Sequence, residues 1–600
     1  MHLTDEEKKI GRDNYSGVMD KTLAPNRREF FATALASGAA ITAGVGAVYY
    51  GYDKKLGDPL RVGIIGTGDE GGVLIGALNP EFVQVKAIAD IRPYSIYRAF
   101  LGDQAALDAR PGLMKRYGWK TEDEARKNVK VYETGYSELL ADPDIEAVII
   151  ALPLWIHDVA AIEAMRAGKH VLTEKLMAHS IHQCKEMARV AYQTNKLLAT
   201  GHQRHYSVLY DNAVDTIRRG IIGDIHHIRA QWHRGNLPGN DSWQPPLPPP
   251  ANYTFGTFDT EIRDLERAHK EGAIDKKTLD EGKRELARLH PLLARLRSAE
   301  GELKKATGSG INAAQKKVDQ VQAQIADASV DAKQYGYEDA VLPGGYQRSA
   351  MEELIRWRLF NRTGGGLMAE LGSHQLDASG IFISSQFDGK AKVRPLSVVG
   401  VGGRHIFPAD RDVDDHVYCM YEYPGKGYFK NNDPTTEEIA DPNKKVVVTY
   451  SSINGNGYGG YGEVVLGTKG TLILDREQET MLFGGGGTKT SVQLNAAKTA
   501  LDSYETGGGS ANLAAAALSG PISRGYTEEI EHWAWCIRNK YPIETLHCHP
   551  KVALADAVIA LTSNIAMAEN RRIEFKPEWF DPESDETPEG VKPKKADEIA

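Results

Sequence analysis

From residue 60 onward, short apolar runs alternate with helix-length amphipathic stretches. The runs Arg61–Ile65, Val83–Ala89, Lys130–Tyr132, Ala147–Ala151, His170–Thr173 and Leu197–Gly201 read as strands. Asp158–Ala167, Ile181–Thr194 and Val208–Arg219 read as helices. Such alternation predicts an α/β Rossmann domain over 59–200, a doubly wound parallel sheet with its ligand at the strands' carboxyl ends. After a strand-like run at 224–234 the prolines at 245, 246, 248, 249 and 250 predict a stiff linker. Two narrow apolar seams follow, Leu286, Leu289, Leu293, Leu296 and Ala314, Val318, Val321, Ile325, separated by Thr307-Gly308-Ser309-Gly310. They predict an antiparallel helical hairpin inserted at about 240–345, with a kink at Pro291. Past residue 395 the pattern is strand-rich (Leu396–Val401, His416–Tyr423, Lys445–Ser451, Glu463–Leu466, Thr471–Asp475), with helices at Ala369–Ile381, Thr527–Arg538 and Lys551–Glu569. This is the signature of a C-terminal α+β domain over 201–575, an open and mostly antiparallel sheet covered on one face by helices. Residues 484–512 read as a surface loop and 576–600 as a frayed tail.

Residues 1–58 fall outside that pattern. They open polar and reach Asn26-Arg27-Arg28-Glu29-Phe30-Phe31, after which the 23 residues Phe30–Tyr52 carry no charge. Paired arginines ahead of a mildly apolar segment resemble a twin-arginine export signal, with a membrane anchor as the alternative. Export would deliver the protein to the periplasm, or leave it membrane-anchored if the signal is retained. On this reading 1–58 contributes nothing to the fold. With 72 basic and 81 acidic residues the net charge is −9, so nothing draws the chain to nucleic acid. The four cysteines form no CxxC pair and imply neither a zinc site nor a disulfide framework.

The first strand runs into Gly66-Thr67-Gly68-x-x-Gly71, and Asp90 ends the next apolar run 19 residues after Gly71. Gly66 suits a tight turn, Gly68 close approach to a pyrophosphate, Gly71 helix–strand packing, and Asp90 a ribose hydroxyl. Glu174 and Lys175 fall at the carboxyl edge of a buried strand. A lysine there can move or orient a proton beside a nicotinamide, and a surface ion pair is the plain alternative. Glu370 and His374 are i and i+4 of a predicted helix, with Asp377 one turn on, an arrangement suited to acid/base chemistry. Metal ligation and a structural histidine are the alternatives; no further ligands are evident, and no metal is expected. His157, Arg204 and Asp377 are candidate substrate contacts, although the polar run His202–Tyr206 reads equally as solvated loop.

Taken in order, these clusters resemble the Gfo/Idh/MocA family of oxidoreductases over all but 1–58 and the insertion. The resemblance implies an NAD(P)-binding Rossmann domain and a second domain whose sheet covers the substrate. It implies Lys175 as the catalytic lysine of a Glu-Lys-Pro motif that reads Glu174-Lys175-Leu176 here, and His374 as general base beside Glu370, where the family has Asp. Asp90 favours NAD, and Arg92 leaves NADP possible. The implied function is hydride transfer at a sugar, cyclitol or glycoside hydroxyl with a tightly held cofactor, by a homo-oligomer using the twin-arginine machinery. An NAD-dependent glycoside hydrolase, working by transient oxidation and elimination, is the second reading. A non-catalytic dinucleotide-binding scaffold is the third.

Overall fold

The computed structural model describes residues 3–22, 57–387, 392–436, 438–488, 493–494, 501–502 and 524–599. Arg27-Arg28, the uncharged segment and most of the 484–512 stretch lie outside them. Six strands, β1 (Leu60–Ile65), β2 (Val83–Ala89), β3 (Lys130–Tyr132), β4 (Ala147–Ile150), β5 (His170–Glu174) and β6 (Leu198–Gly201), form a parallel sheet of order β3-β2-β1-β4-β5-β6. The strand order reverses beside β1. A crevice therefore opens there, past the strand ends, as in doubly wound folds. Its central strands are buried on both faces, which is why β4 reads as an unbroken apolar run.

The helices that matter to the site, in chain order, are α1 (Asp5–Thr22), α2 (Asp69–Ala77), α3 (Pro93–Leu101), α4 (His157–Arg166), α5 (Ile181–Thr194) and α6 (Val208–Arg218). The insertion contributes α7 (Phe255–Lys270), α8 (Lys276–Leu289), α9 (Pro291–Lys305) and α10 (Gly310–Ala326). The second domain adds α11 (Ser373–Ser384), α12 (Tyr526–Arg538) and α13 (Pro550–Ala568).

The second sheet comprises β7 (Ile225–His233), β10 (Ser397–Gly403), β11 (His416–Pro424), β12 (Lys445–Ile453), β13 (Tyr461–Gly467), β14 (Gly470–Asp475), β15 (Glu479–Gly484) and β18 (Ile573–Glu574). Its order is β15-β14-β13-β7-β12-β11-β10-β18, antiparallel except for the pair β7–β12. Two small pairs, β8 (Ala340–Val341) with β9 (Gln347–Arg348) and β16 (Gln493–Leu494) with β17 (Leu501–Asp502), stand apart. Helix α13 is long and apolar enough to cross a membrane, yet most of it is buried in the core under this sheet.

The structure corrects the expectations for the insertion and the tail. The insertion holds four helices: the predicted hairpin is α9 with α10, and α7 and α8 precede it. Pro291 starts α9 as its first residue, where a missing N–H costs nothing, and does not kink a continuous helix. The C-terminal tail is not frayed. Lys185 of α5 donates to the carbonyls of Glu578, Ser584 and Glu586, and Arg189 to those of Pro582, Pro593 and Lys594. Two buried cations thus tie this strap to the nucleotide-binding domain.

Nor does the fold begin at residue 59. Helix α1 lies against the edge strand β15 and buries Tyr15, Val18 and Met19 in the main core, while Leu3 packs with Val464, Ile473, Met481 and Phe483. Lys8 pairs with Asp475 at 3.3 Å, Arg12 with Glu479 at 2.8 Å, and Asn14 donates to the Leu482 carbonyl at 3.1 Å. Covering a sheet edge in this way blocks its pairing with other chains.

Candidate active site

The glycine loop joins β1 to α2. Gly66 has φ +86°, a region that only glycine enters readily. A Cβ on Gly71 would lie 2.3 Å from the Gly66 carbonyl oxygen, whereas one on Gly68 would meet no atom within 4 Å. The loop is therefore packed from behind at Gly71 and open in front at Gly68. Helix α2 starts at that opening with no side-chain cap, so its first amides are available to an anion. Gly71→Ala is expected to push the loop forward and weaken nucleotide binding by at least about tenfold, read by fluorescence titration. Unchanged affinity would show that the loop does not set the binding surface.

Asp90 closes β2. One oxygen accepts the Thr67 N–H at 2.7 Å and the Thr67 hydroxyl at 3.2 Å; the other accepts the Arg92 N–H at 2.9 Å. Burial pushes its carboxyl up, opposed by those hydrogen bonds. Thr67 thus ties the glycine loop to the acid. The Arg92 guanidinium turns away and pairs with Asp327 of the insertion.

Lys175 follows β5 in a turn whose Lys175–Leu176 peptide is cis. Its Nζ donates to the backbone carbonyl of Glu370 at 2.7 Å, not to Glu174. Glu174 instead accepts the Lys175 amide at 3.0 Å through one oxygen, and its other oxygen is buried without a partner. Burial, with Glu70 close by, pushes the Glu174 carboxyl up to about 8.

Glu370 belongs to a π-helical turn, Met368–Gly372, that leads into α11. Such turns recur at functional positions in helices. Its carboxylate pairs with Arg358 at 3.0 Å and does not act through His374. Burial raises Glu370, but Arg358 and Lys175 outweigh that and hold it below the usual carboxylate range. His374 is buried and its Nδ1 has no partner. Burial first, then the cations of Lys175 and Arg204, holds the imidazole well below its ordinary value. A neutral imidazole beside a lysine is equipped to accept a proton. Across from it on β7 stands Trp232, with ring centroids 5.4 Å apart, itself stacked on Tyr461 at 4.4 Å.

Residues 60–202 match the model of the family described as an oxidoreductase family with an NAD-binding Rossmann fold, GFO_IDH_MocA. That span is similar to the NAD-binding domain of the Gfo/Idh/MocA family. Curated relatives include an uncharacterized oxidoreductase of Schizosaccharomyces pombe, 33% identical over 24% of this chain and 42% of its own. An uncharacterized oxidoreductase of Rhizobium meliloti is 30% identical over 30% and 47%, respectively. A glycosyl hydrolase family 109 protein of Solibacter usitatus is 27% identical over 36% and 47%. The chain thus spans under half the length of these relatives. Among solved structures, a levoglucosan dehydrogenase in complex with NADH aligns over 86% of this chain and 99% of its own, at 16% identity and a TM-score of 0.47.

The NAD-binding domain has the features the dinucleotide needs: the open side of Gly68, uncapped amides on α2, the Asp90 carboxylate, and an unpartnered buried oxygen on Glu174. Lys175, Glu370 and His374 gather where this domain meets the second sheet. The three expected substrate contacts are instead engaged inside the protein. His157 sets its ring nitrogens 3.0 and 2.8 Å from the carbonyls of Leu176 and Leu152 and so braces the Lys175 turn. Arg204 is held by Glu477, Tyr210 and Gln375. Asp377 accepts from His205 at 2.9 Å and Lys392 at 2.8 Å.

The run His202–Tyr206 is therefore no solvated loop, because His202, Gln203, Arg204 and Tyr206 are all buried. His202 lies 3.7 Å from Asp377 and 3.9 Å from Asp556, side chains of metal-ligand type, while the Lys392 ammonium bridges both carboxylates and meets their charge. Arg358, Trp232, Asp556 and Asp327 shape the site without any local motif to mark them. Each meets its partner only through the tertiary fold.

Proposed function

We propose that the protein is an NAD-dependent oxidoreductase acting on a hydroxyl of a sugar, cyclitol or glycoside. One observation carries the reading: an NAD-binding domain of known family brings Lys175 to a neutral, buried His374 under the second sheet. When bound, NAD supplies the nicotinamide carbon that accepts or returns a hydride. His374 takes the hydroxyl proton as hydride leaves, and returns it in the reverse direction. Lys175, fixed by the Glu370 carbonyl, orients the same oxygen and offsets negative charge developing on it. Glu370, held by Arg358, sets the turn that presents both groups.

The carbohydrate class is supported by the Trp232/Tyr461 pair, whose half-buried rings offer an apolar wall beside His374. The test is NADH formation from NAD across a panel of sugars, cyclitols and glycosides. No turnover with any of them, in protein that binds NAD, would favour a scaffold. The glycosyl hydrolase family 109 relatives support a second reading, redox-assisted glycoside hydrolysis. Aglycone release from aryl glycosides that depends on NAD but yields no net NADH would select it.

Because His374 stays neutral, the acid limb of kcat/KM is expected to fall below 6.5, the ordinary value for histidine. A limb at 6.5 or above would assign the base elsewhere. The paired arginines Arg27-Arg28 support export through the twin-arginine route into the periplasm. An exported dehydrogenase has little free cofactor, so NAD is expected to remain bound through gentle purification. Mass spectrometry of the denatured protein checks this, and protein free of nucleotide would refute it. Exposed Val399, Val401, Tyr418 and Met420 form an apolar face on β10 and β11 that fits a second copy of the chain, supporting a homo-oligomer.

A further inference from the structure

The inserted helices reach the one part of the nucleotide site that distinguishes NAD from NADP. Helix α10 lies along α3 of the NAD-binding domain: Tyr97 donates its hydroxyl to the Lys316 carbonyl at 2.8 Å, and Gln320 accepts the Gln104 amide at 2.7 Å. At the end of α10 the chain turns at Asp327, whose side chain is fully buried. One oxygen of Asp327 accepts from Arg92 Nε at 3.0 Å and Nη2 at 2.8 Å; the other accepts the Tyr94 amide at 3.0 Å. The chain then places Ala332 and Tyr337 against Ile91 and Trp155, which fixes the insertion over the turn after β2.

Arg92 stands two residues after Asp90, where an arginine in this fold serves a 2′-phosphate. Here both donor directions of the guanidinium edge are already taken by a buried carboxylate. We propose that Asp327 is a specificity-determining residue, supplied by the insertion, that withholds Arg92 from the cofactor and makes the adenosine pocket select a free 2′-hydroxyl. A 2′-phosphate would bring about −1.5 to −2 charges to a pocket holding two carboxylates and one committed cation. A 2′-hydroxyl meets only an acceptor, Asp90. The insertion thus acts on cofactor choice from a point 235 residues away in the chain.

This inference rests on the dinucleotide reading of the glycine loop, and the two fail differently. If the glycine loop holds no dinucleotide, neither NADH nor NADPH binds. If Asp327 does not select, NADH and NADPH bind in the same ratio to the native protein and to Asp327→Asn. The test is fluorescence titration of the nucleotide-stripped full chain with NADH and NADPH. The native protein is expected to prefer NADH by about 100-fold or more, as like charges brought together in a buried site demand. Asp327→Asn keeps an acceptor for the Tyr94 amide and removes the charge that holds Arg92. It is expected to raise NADPH affinity relative to NADH by at least about tenfold, the loss of one charge-assisted pair. Arg92→Ala added to Asp327→Asn is expected to abolish that gain. Equal native affinities overturn the proposal, as does an Asp327→Asn protein whose preference is unchanged. Should Asp327→Asn fail to fold, Arg92→Ala alone decides: with Arg92 withheld by Asp327 it leaves the NADH/NADPH ratio unchanged, and a loss of NADPH affinity relative to NADH overturns the proposal.

Discussion

Replacing Lys175 by alanine is expected to lower turnover by a factor of about 10²–10⁴, the range for a positioned acid/base group, while NAD still binds. The structure separates the two effects. The ammonium of Lys175 donates to the Glu370 carbonyl, and Glu174 keeps its hydrogen bond to the residue-175 amide whatever side chain is there. The groups proposed to hold the nucleotide, Gly68, the α2 amides and Asp90, include none of the lysine's side-chain atoms. Steady-state rates and nucleotide titration on one preparation check both halves. Unchanged turnover would remove Lys175 from the chemistry, and lost binding would make it a cofactor ligand alone. Loss of the positive charge also relieves His374, so the acid limb of the residual activity is expected to move up.

Removing residues 1–22 is expected to destabilise the protein severely. The segment buries Leu3, Tyr15, Val18 and Met19, and full burial of such side chains contributes about 1.5–3 kcal/mol each. Ordering the helix offsets part of that sum. What remains is still large against the roughly 5–15 kcal/mol of net stability typical of a domain. The truncation also bares Val464, Ile473, Met481 and Phe483 beside an edge strand, which invites aggregation. A fall in Tm of at least about 5 °C is expected, with Tyr15→Ala giving a smaller fall in the same direction. A truncated protein with unchanged Tm would show that α1 is a passenger.

The nucleotide-binding half was legible because its cues are local. β2 and β3 begin and end where the apolar runs do, and β1 feeds the glycines directly. Lys175 and His374 stand out in the sequence for the same reason, each lying within a few residues of a strand end or a glycine run, and their roles rest on the proposed function. Three things were not. The burial of His202 and Arg204 depends on Glu477, Asp556 and Gln375, none of which is near in sequence, so a polar run read as solvated. Glu370 has the right spacing for His374, but Arg358 captures its carboxylate. Arg92 sits beside Asp90 in sequence and looks available for a phosphate, until a helix from the other domain supplies Asp327. Local pattern locates a reactive group; long-range pairing decides its charge and its freedom.

Helix α1 shows the same limit, since Tyr15, Val18 and Met19 lie at i, i+3 and i+4, yet their partner surface on β15 exists only after the whole second domain has formed. Its position in the chain then has a consequence for maturation. The paired arginines stand between Thr22 and Gly57, with folded structure on both sides. A peptidase cutting anywhere in that interval would not trim a leader from the molecule. It is expected to convert one polypeptide into two, with the piece up to the cut held through α1 as a non-covalent subunit, so that native and denaturing mass spectra of the processed protein would disagree by the mass of that fragment.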